Sequence, residues 1–226
     1  MSSTGQRPRL ETVSRSRLVE QIVEQITEQI LSGEIAAGTP LGQEQLSAEL
    51  GVSRTPLREA LRVLKSRGFV TSGAANGSLS VVSLTRERAA DMYEARSMVD
   101  GFAARLAAER ATDEQIAGLE DLAEAVRSAS RPFHPKRYLE VHAEFHLSVL
   151  RVAGNETLMT FEPIVQITAR LLFAQLNRNR ERTIASAGEH LEICKAIRAR
   201  DPARAERLSR EHVQNAIAAW RADGRS

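Results

Sequence analysis

The sequence holds a single cysteine, Cys194. No intramolecular disulfide can form, and a reducing compartment, the cytoplasm, is the expected location. Long apolar runs are missing as well: none approaches the ~20 residues needed to cross a bilayer. The first residues, MSSTGQRPRLETVSRSR, carry basic side chains with no apolar stretch behind them. No secretory leader is read there, and residues 1–14 are expected to form a disordered tail. Charge of one sign is also scarce. With 31 Lys and Arg against 29 Asp and Glu, the formal charge of +2 is too small to argue for nucleic acid by itself. Low-complexity segments and fixed-period repeats are absent. What remains is 226 residues, 42% hydrophobic and 27% charged, enough for one large domain or two smaller ones.

The bases are unevenly placed. Between Ser53 and Arg67, Arg54, Arg58, Arg62, Lys65 and Arg67 stand against one acid, Glu59. Ahead of them Val19, Ile22, Val23, Ile26 and Ile30 recur at helical spacing, with Gly33 as a stop signal. A turn (AAGTP), a short helix over about Gln43 to Leu50, Gly51 and a third helix follow, the order of a helix-turn-helix. In the third helix Leu57, Ala60, Leu61 and Leu64 make an apolar stripe, while Arg54, Arg58, Arg62 and Lys65 run along another face. Ser53 or Thr55 can cap this helix, and Pro56 suits its first turn, where a missing N–H costs little. Taken alone, a basic stripe is more often only a solvated helix face. Here FVTS and LSVV, joined by GAANG, add a β-hairpin directly behind it, a wing. Turn glycine, capped helix and wing together favour DNA. Arg54 and Arg58 lie at the end of the helix that reads base edges, and Arg fits the O6/N7 pair of guanine.

The stretch ILSGEIAAGTPLGQEQLSAELGVSRTPLREALRVLKSRGFV resembles the winged helix-turn-helix of the GntR family of bacterial transcription regulators, over about residues 15–83. The resemblance implies DNA contacts from Ser53, Arg54, Thr55, Arg58, Asn76 and Gly77.

Beyond about Leu84 the pattern is helix after helix, with breaks at RPFHP, Gly154–Asn155 and the polar NRNRER, and the last helix starting at Asp201–Pro202. The segment after Asn155 is expected to run as one helix to about Leu176. Six or seven helices with short links predict an antiparallel bundle with any site at its middle. The fold class is therefore mainly α: an N-terminal winged helix-turn-helix over residues 15–83 and an all-α antiparallel bundle over 84–226.

Within the bundle, HAEFH sets His142 and His146 four residues apart, on one helical face. Most such pairs are surface or satisfied core residues, so the pair alone is weak evidence for a metal. His190 and His212 lie on two further helices, and His134 sits in a loop between prolines. The segments DMYEARSMVDGFAARLAAERATDEQIAGLE, EFHLSVLRVAGNETL and EHLEICKAIRARDPARAERLSREHV resemble the FCD ligand-binding domain of FadR-like GntR regulators. Many of those hold a divalent metal with one Asp and three His. The resemblance places His146, His190 and His212 at the three His positions and His142 where the Asp is expected. With His142 as ligand the site has four neutral imidazoles, a set that suits zinc or nickel and disfavours manganese and magnesium. The same resemblance implies effector contacts from Arg96 and Asn155, with Arg170 a weaker candidate. Arg96 could instead make a structural ion pair, Asn155 could simply cap its helix, and the pocket could be metal-free. Cys194, one turn after His190, is read as a core thiol.

The rival class is a metallohydrolase. The zincin pattern H-E-x-x-H needs its Glu directly after the first His. Here Glu144 comes two residues later, about 200° around the helix from His142 by the ~100° step. An architectural DNA-binding protein would need no effector bundle. The expectation is thus a cytoplasmic homodimeric regulator, a repressor, that binds a palindromic operator in double-stranded DNA under control of a small carboxylate held at a zinc or nickel ion.

Overall fold

The computed structural model describes residues 15–32, 34–72, 78–83, 85–172 and 180–222. The tail expected over 1–14 lies outside them, as do Gly33 and the wing tip.

The head is built from α1 (Arg15–Ser32), α2 (Gln43–Leu50), α3 (Arg54–Ser66), β1 (Val70–Ser72) and β2 (Leu79–Val81). Helix α2 ends at Gly51, whose φ of 65° is the left-handed conformation that turns the chain into α3. Ser53 holds the N-cap position of α3 without a side-chain capping bond. The stripe Pro56, Leu57, Ala60, Leu61 and Leu64 is buried against Ile22, Val23, Ile26 and Ile30 of α1. Each such large aliphatic side chain contributes about 1.5–3 kcal/mol on full burial. The strands pair antiparallel, Val70 with Val81 and Ser72 with Leu79. The turn before α2 joins their outer edge: Leu41 N–H donates to the Leu79 carbonyl at 2.7 Å.

The bundle comprises α4 (Arg86–Arg110), α5 (Asp113–Ser130), α6 (Pro135–Val152), α7 (Glu156–Met159), α8 (Glu162–Gln166), a π-helical segment (Ile167–Leu172), α9 (Arg180–Arg198) and α10 (Pro202–Ala222). Its starts are well capped. Thr112 and Gln115 form a reciprocal capping box on α5, and Asp201 accepts from the Arg204 N–H at the start of α10. Helix α4 lies along α10, α9 between α5 and α10, and α6 against α5 and α4. Gly101 permits the first of these contacts, since a Cβ there would meet Arg210 Cγ at 2.3 Å.

Two expectations need correction. The single helix after Asn155 is broken into α7, α8 and the π-helical turn. Pro163 is the cause: it has no N–H to continue the ladder, restrains the residue before it, and can only stand in the first turn of α8. The polar connector NRNRER is also shorter than expected, because α9 already begins at Arg180, and Arg182 reaches along it to Glu189.

Head and bundle share a seam. Ile167, from the π-helical segment, is buried within the head's own core. It lies over Gly68, which has a φ of 77° and no room for a Cβ: one would stand 2.2 Å from Ile167 Cδ1. Lys136 of α6 adds an ion pair to Glu28 of α1 at 2.5 Å.

Candidate functional site

Four histidines from three helices meet in the middle of the bundle. His142 and His146 come from α6, His190 from α9 and His212 from α10, all between 0 and 4% exposed. One ligand nitrogen from each lies within 4.8 Å of the others. His190 Nε2 is 3.2 Å from His146 Nε2 and 3.2 Å from His212 Nε2.

The outer nitrogens of three rings fix their tautomers, whereas His190 Nδ1 is buried without a hydrogen-bond partner among the described residues. His146 Nδ1 is 3.0 Å from Asp100 Oδ2, and His212 Nδ1 is 2.6 Å from Glu189 Oε2. His142 Nδ1 is 3.3 Å from the Ala169 carbonyl. These oxygens accept, so each Nδ1 carries the hydrogen and each Nε2 turns a lone pair inward. Converging lone pairs repel unless a cation lies among them. Tetrahedral zinc with bonds of about 2.0–2.1 Å sets its ligand atoms roughly 3.3 Å apart, close to the spacing seen. The donor set and its outer carboxylates therefore fit a metal ion.

Electrostatics agree. Burial, and then the charge of neighbouring groups, holds His142, His146 and His190 well below the ordinary imidazole range. His212 is lowered by burial against the opposing pull of Glu189. Glu189 is raised by burial, but its bonds from Arg182 and His212 prevail and bring it down to about 2. All four rings are thus neutral near pH 7, the form that ligates.

Beside the histidines lies Arg96, 2% exposed. Its Nε donates to Asp100 Oδ2 at 3.0 Å, so one carboxylate oxygen serves Arg96 and His146 together. The buried Arg96 Nη2 has no partner. The guanidinium therefore makes the structural ion pair and keeps a free donor as well. Asn155 accepts from the Leu158 N–H as the N-cap of α7. Cys194 is buried, with Sγ 3.5 Å from the Leu119 carbonyl, and burial pushes its thiol up to about 12. Glu144 faces away from the histidines and pairs with Arg151 and Ser148.

On the head, Ser53, Arg54, Thr55 and Arg58 are exposed along the first two turns of α3. Arg54 leans on Glu44 of α2 at 2.8 Å. Asn76 and Gly77 fall outside the described residues.

Residues 91–215 match the FCD domain, and residues 18–79 match the bacterial regulatory proteins of the gntR family. The chain belongs to the GntR family, with an FCD domain as its bundle. The Nta operon transcriptional regulator of Aminobacter aminovorans is 33% identical over 78% of this chain and 82% of its own length. The transcriptional repressor NanR of Klebsiella aerogenes is 29% identical over 98% of this chain and 92% of its own. Among solved structures, E. coli McbR/YncC has a TM-score of 0.74 at 22% identity, covering 92% of this chain and 99% of that one, a likeness of fold. The protein is accordingly a DNA-binding transcription regulator of the GntR and FCD type, and the enzyme reading is excluded by family.

Three elements of this GntR protein's site escaped the sequence reading: Asp100, Glu189 and the Ala169 carbonyl. Asp100 had a signal, since it lies one turn after Arg96 on α4. Glu189 precedes His190 and supports His212 across a helix interface, a contact that spacing cannot show. Among the described residues no helix is long and apolar enough to cross a membrane.

Proposed function

We propose that this regulator is a homodimeric cytoplasmic repressor, released from a palindromic operator by a small organic acid bound at a zinc or nickel ion inside the FCD domain. The observation that carries the reading is the convergence of three Nε2 atoms at 3.2 Å, with the opposite Nδ1 atoms of two of those rings on buried or half-buried carboxylates. His142 completes the set in place of an acid. Four neutral imidazoles leave the ion's charge uncancelled in its first shell, and such an ion offers positive charge and open positions to a carboxylate. Arg96 Nη2 supplies the second contact, a charge-assisted hydrogen bond to the same carboxylate. A contact from Asn155 would come from its amide nitrogen, the oxygen being engaged in capping.

The route to the head runs through the π-helical segment. Tyr93 donates to the Thr168 carbonyl at 3.3 Å, and His142 to the Ala169 carbonyl at 3.3 Å. The segment's first residue, Ile167, is packed in the core of the head over Gly68, just behind α3. A ligand that shifts His142 or its helix thereby bears on the recognition helix. Ser53, Arg54, Thr55, Arg58 and the wing residues Asn76 and Gly77 are the proposed DNA contacts. We assign residues 15–83 to the head and 84–226 to the effector domain.

The test is metal content per protomer, by elemental analysis of untagged protein, for wild type and His190→Ala. About one zinc or nickel in the wild type and none in a folded variant is expected. No metal in the wild type, even after dialysis against either ion, would remove the metal from the reading and leave Arg96 as the ligand anchor.

A further inference from the structure

Head and bundle flank a cleft of about 540 Å³, away from the histidines. Thr27 of α1 and Arg67 behind α3 line it from the head; Pro135 and Leu139 of α6 and Arg170 of the π-helical segment line it from the bundle. Its size falls within the roughly 300–1,000 Å³ of small-molecule sites.

Two of its polar atoms are unspent. The buried Arg170 Nε has no hydrogen-bond partner. Thr27 is only 8% exposed, and its hydroxyl oxygen is likewise unpartnered. A buried polar atom without its hydrogen bond is destabilising, so both atoms invite an acceptor. Arg67 stands near enough to Arg170 that, after burial itself, its charge is the main influence weakening the second guanidinium's hold on its proton. Two like charges are thus held across the domain seam, while Glu144, Glu140 and Glu162 act on Arg170 in the opposite sense without closing an ion pair with it.

Acids line the cavity too. Glu28 is paired with Lys136 at 2.5 Å, and Glu140 lies 3.7 Å from Arg137, on its own helix. The lining charges balance, with Glu24, Glu28 and Glu140 against Arg67, Lys136 and Arg170; once Glu28 and Lys136 are paired, Glu24 and Glu140 stand against the two guanidiniums. An oxyanion between the two guanidiniums would relieve their repulsion and satisfy Nε. Pro135 and Leu139 give an apolar wall for an organic body.

We propose that this cleft is a second ligand site, separate from the histidine group, for a small organic oxyanion held by Arg67, Arg170 and Thr27. Because Arg67 belongs to the head and Arg170 to the bundle, the bound anion fastens one to the other. It acts on the segment whose Ala169 carbonyl accepts from His142, so the two sites are coupled, and each ligand changes affinity for the other by the same factor.

The experiment is calorimetric titration of the full-length protein as purified, with phenyl phosphate and with benzoate as probes. Saturable binding of at least one is expected, weakened tenfold or more in Arg170→Gln and in Arg67→Gln and unchanged in Arg207→Gln, an exposed arginine of α10 outside both sites. The tighter probe tells whether the natural head group is a phosphate or a carboxylate. Arg67 is half exposed, so its variant gives the reading should Arg170→Gln fail to fold. No saturable binding of either probe would overturn the proposal. So would binding that Arg96→Gln abolishes while both cleft variants retain it, since the anion would then belong to the histidine pocket. A protein that binds no metal can still pass this test, which separates its failure from that of the metal reading.

Discussion

At the scale of single residues, chemistry is decided by what each side chain has left to offer. Arg58 is exposed on α3, with nothing of the core resting on it. Arg58→Ala should therefore reduce operator affinity at least tenfold while leaving the thermal midpoint within about a degree. Electrophoretic mobility shift and a melting curve check the two halves, and unchanged affinity would remove α3 as the reading helix. The cysteine is the opposite case. With its thiol pushed up to about 12 by burial, Cys194 should resist iodoacetamide at pH 8 in the native protein and be labelled fully in urea. The linkage has a definite sign. An unfolded thiol ionises near 9, so the stability tied to this group is complete below that pH and is lost as pH rises from about 9 toward 12. Labelling of the native protein at pH 8 would show the thiol to be accessible and the core reading wrong. The histidines were legible because a ligand must be of a particular residue type and helical spacing exposes two of them at once. Their supporting acids were not, because Asp100 and Glu189 do their work across helix interfaces, and any acid on a solvated face looks the same in sequence.

At the scale of elements, most of the fold could be read directly. Periodicity located α1, α3, α4, α5, α6 and α10, and the residues Asn155 and Asp201 marked starts that proved to be capped. The stretch after Asn155 was misread, since an apolar run such as PIVQITARLL has helical composition whether its turns are regular or widened. The widened turn is the part with consequences. Thr168 back-bonds to the carbonyls of Ile164 and Val165 at 2.7 and 3.2 Å, and the next carbonyls accept from Tyr93 and His142. At its head end, Gly68→Ala should destabilise the protein by about 2 kcal/mol or more, from a positive φ and a collision with Ile167 together. Adding Ile167→Ala should recover part of the steric share, so the two changes should cost less together than their sum. Urea unfolding of the four proteins in the cycle measures this. Strict additivity would mean that the two residues do not bear on one another.

At the scale of the whole molecule, the proposed homodimer would have to place two reading heads at once. Two-fold symmetric binding predicts two protomers per operator duplex, with half-site centres one helical turn, about 10 base pairs, or a multiple of it apart. Inserting about 5 base pairs between half-sites turns one of them to the opposite side of the duplex and should weaken binding at least tenfold. Sedimentation of protein–DNA mixtures gives the stoichiometry, and mobility shifts on the spaced operators give the penalty. One protomer per duplex, or indifference to spacing, would break the symmetric reading. None of this was legible in composition: a net charge of +2 conceals a cationic face on α3 because the rest of the surface alternates in sign.

The burial of Ile167 in the head's core also bears on how such regulators can be recombined. A reading head cut at the chain boundary near residue 83 leaves behind one of its own core side chains, together with the ion pair from Lys136 to Glu28. Grafting this head onto another bundle would transplant a surface with a hole in it, about the size of one isoleucine, unless the recipient offers an apolar side chain at the equivalent turn. The inheritable module is therefore discontinuous: a stretch of sequence at the start of the chain plus a single residue contributed some eighty positions later.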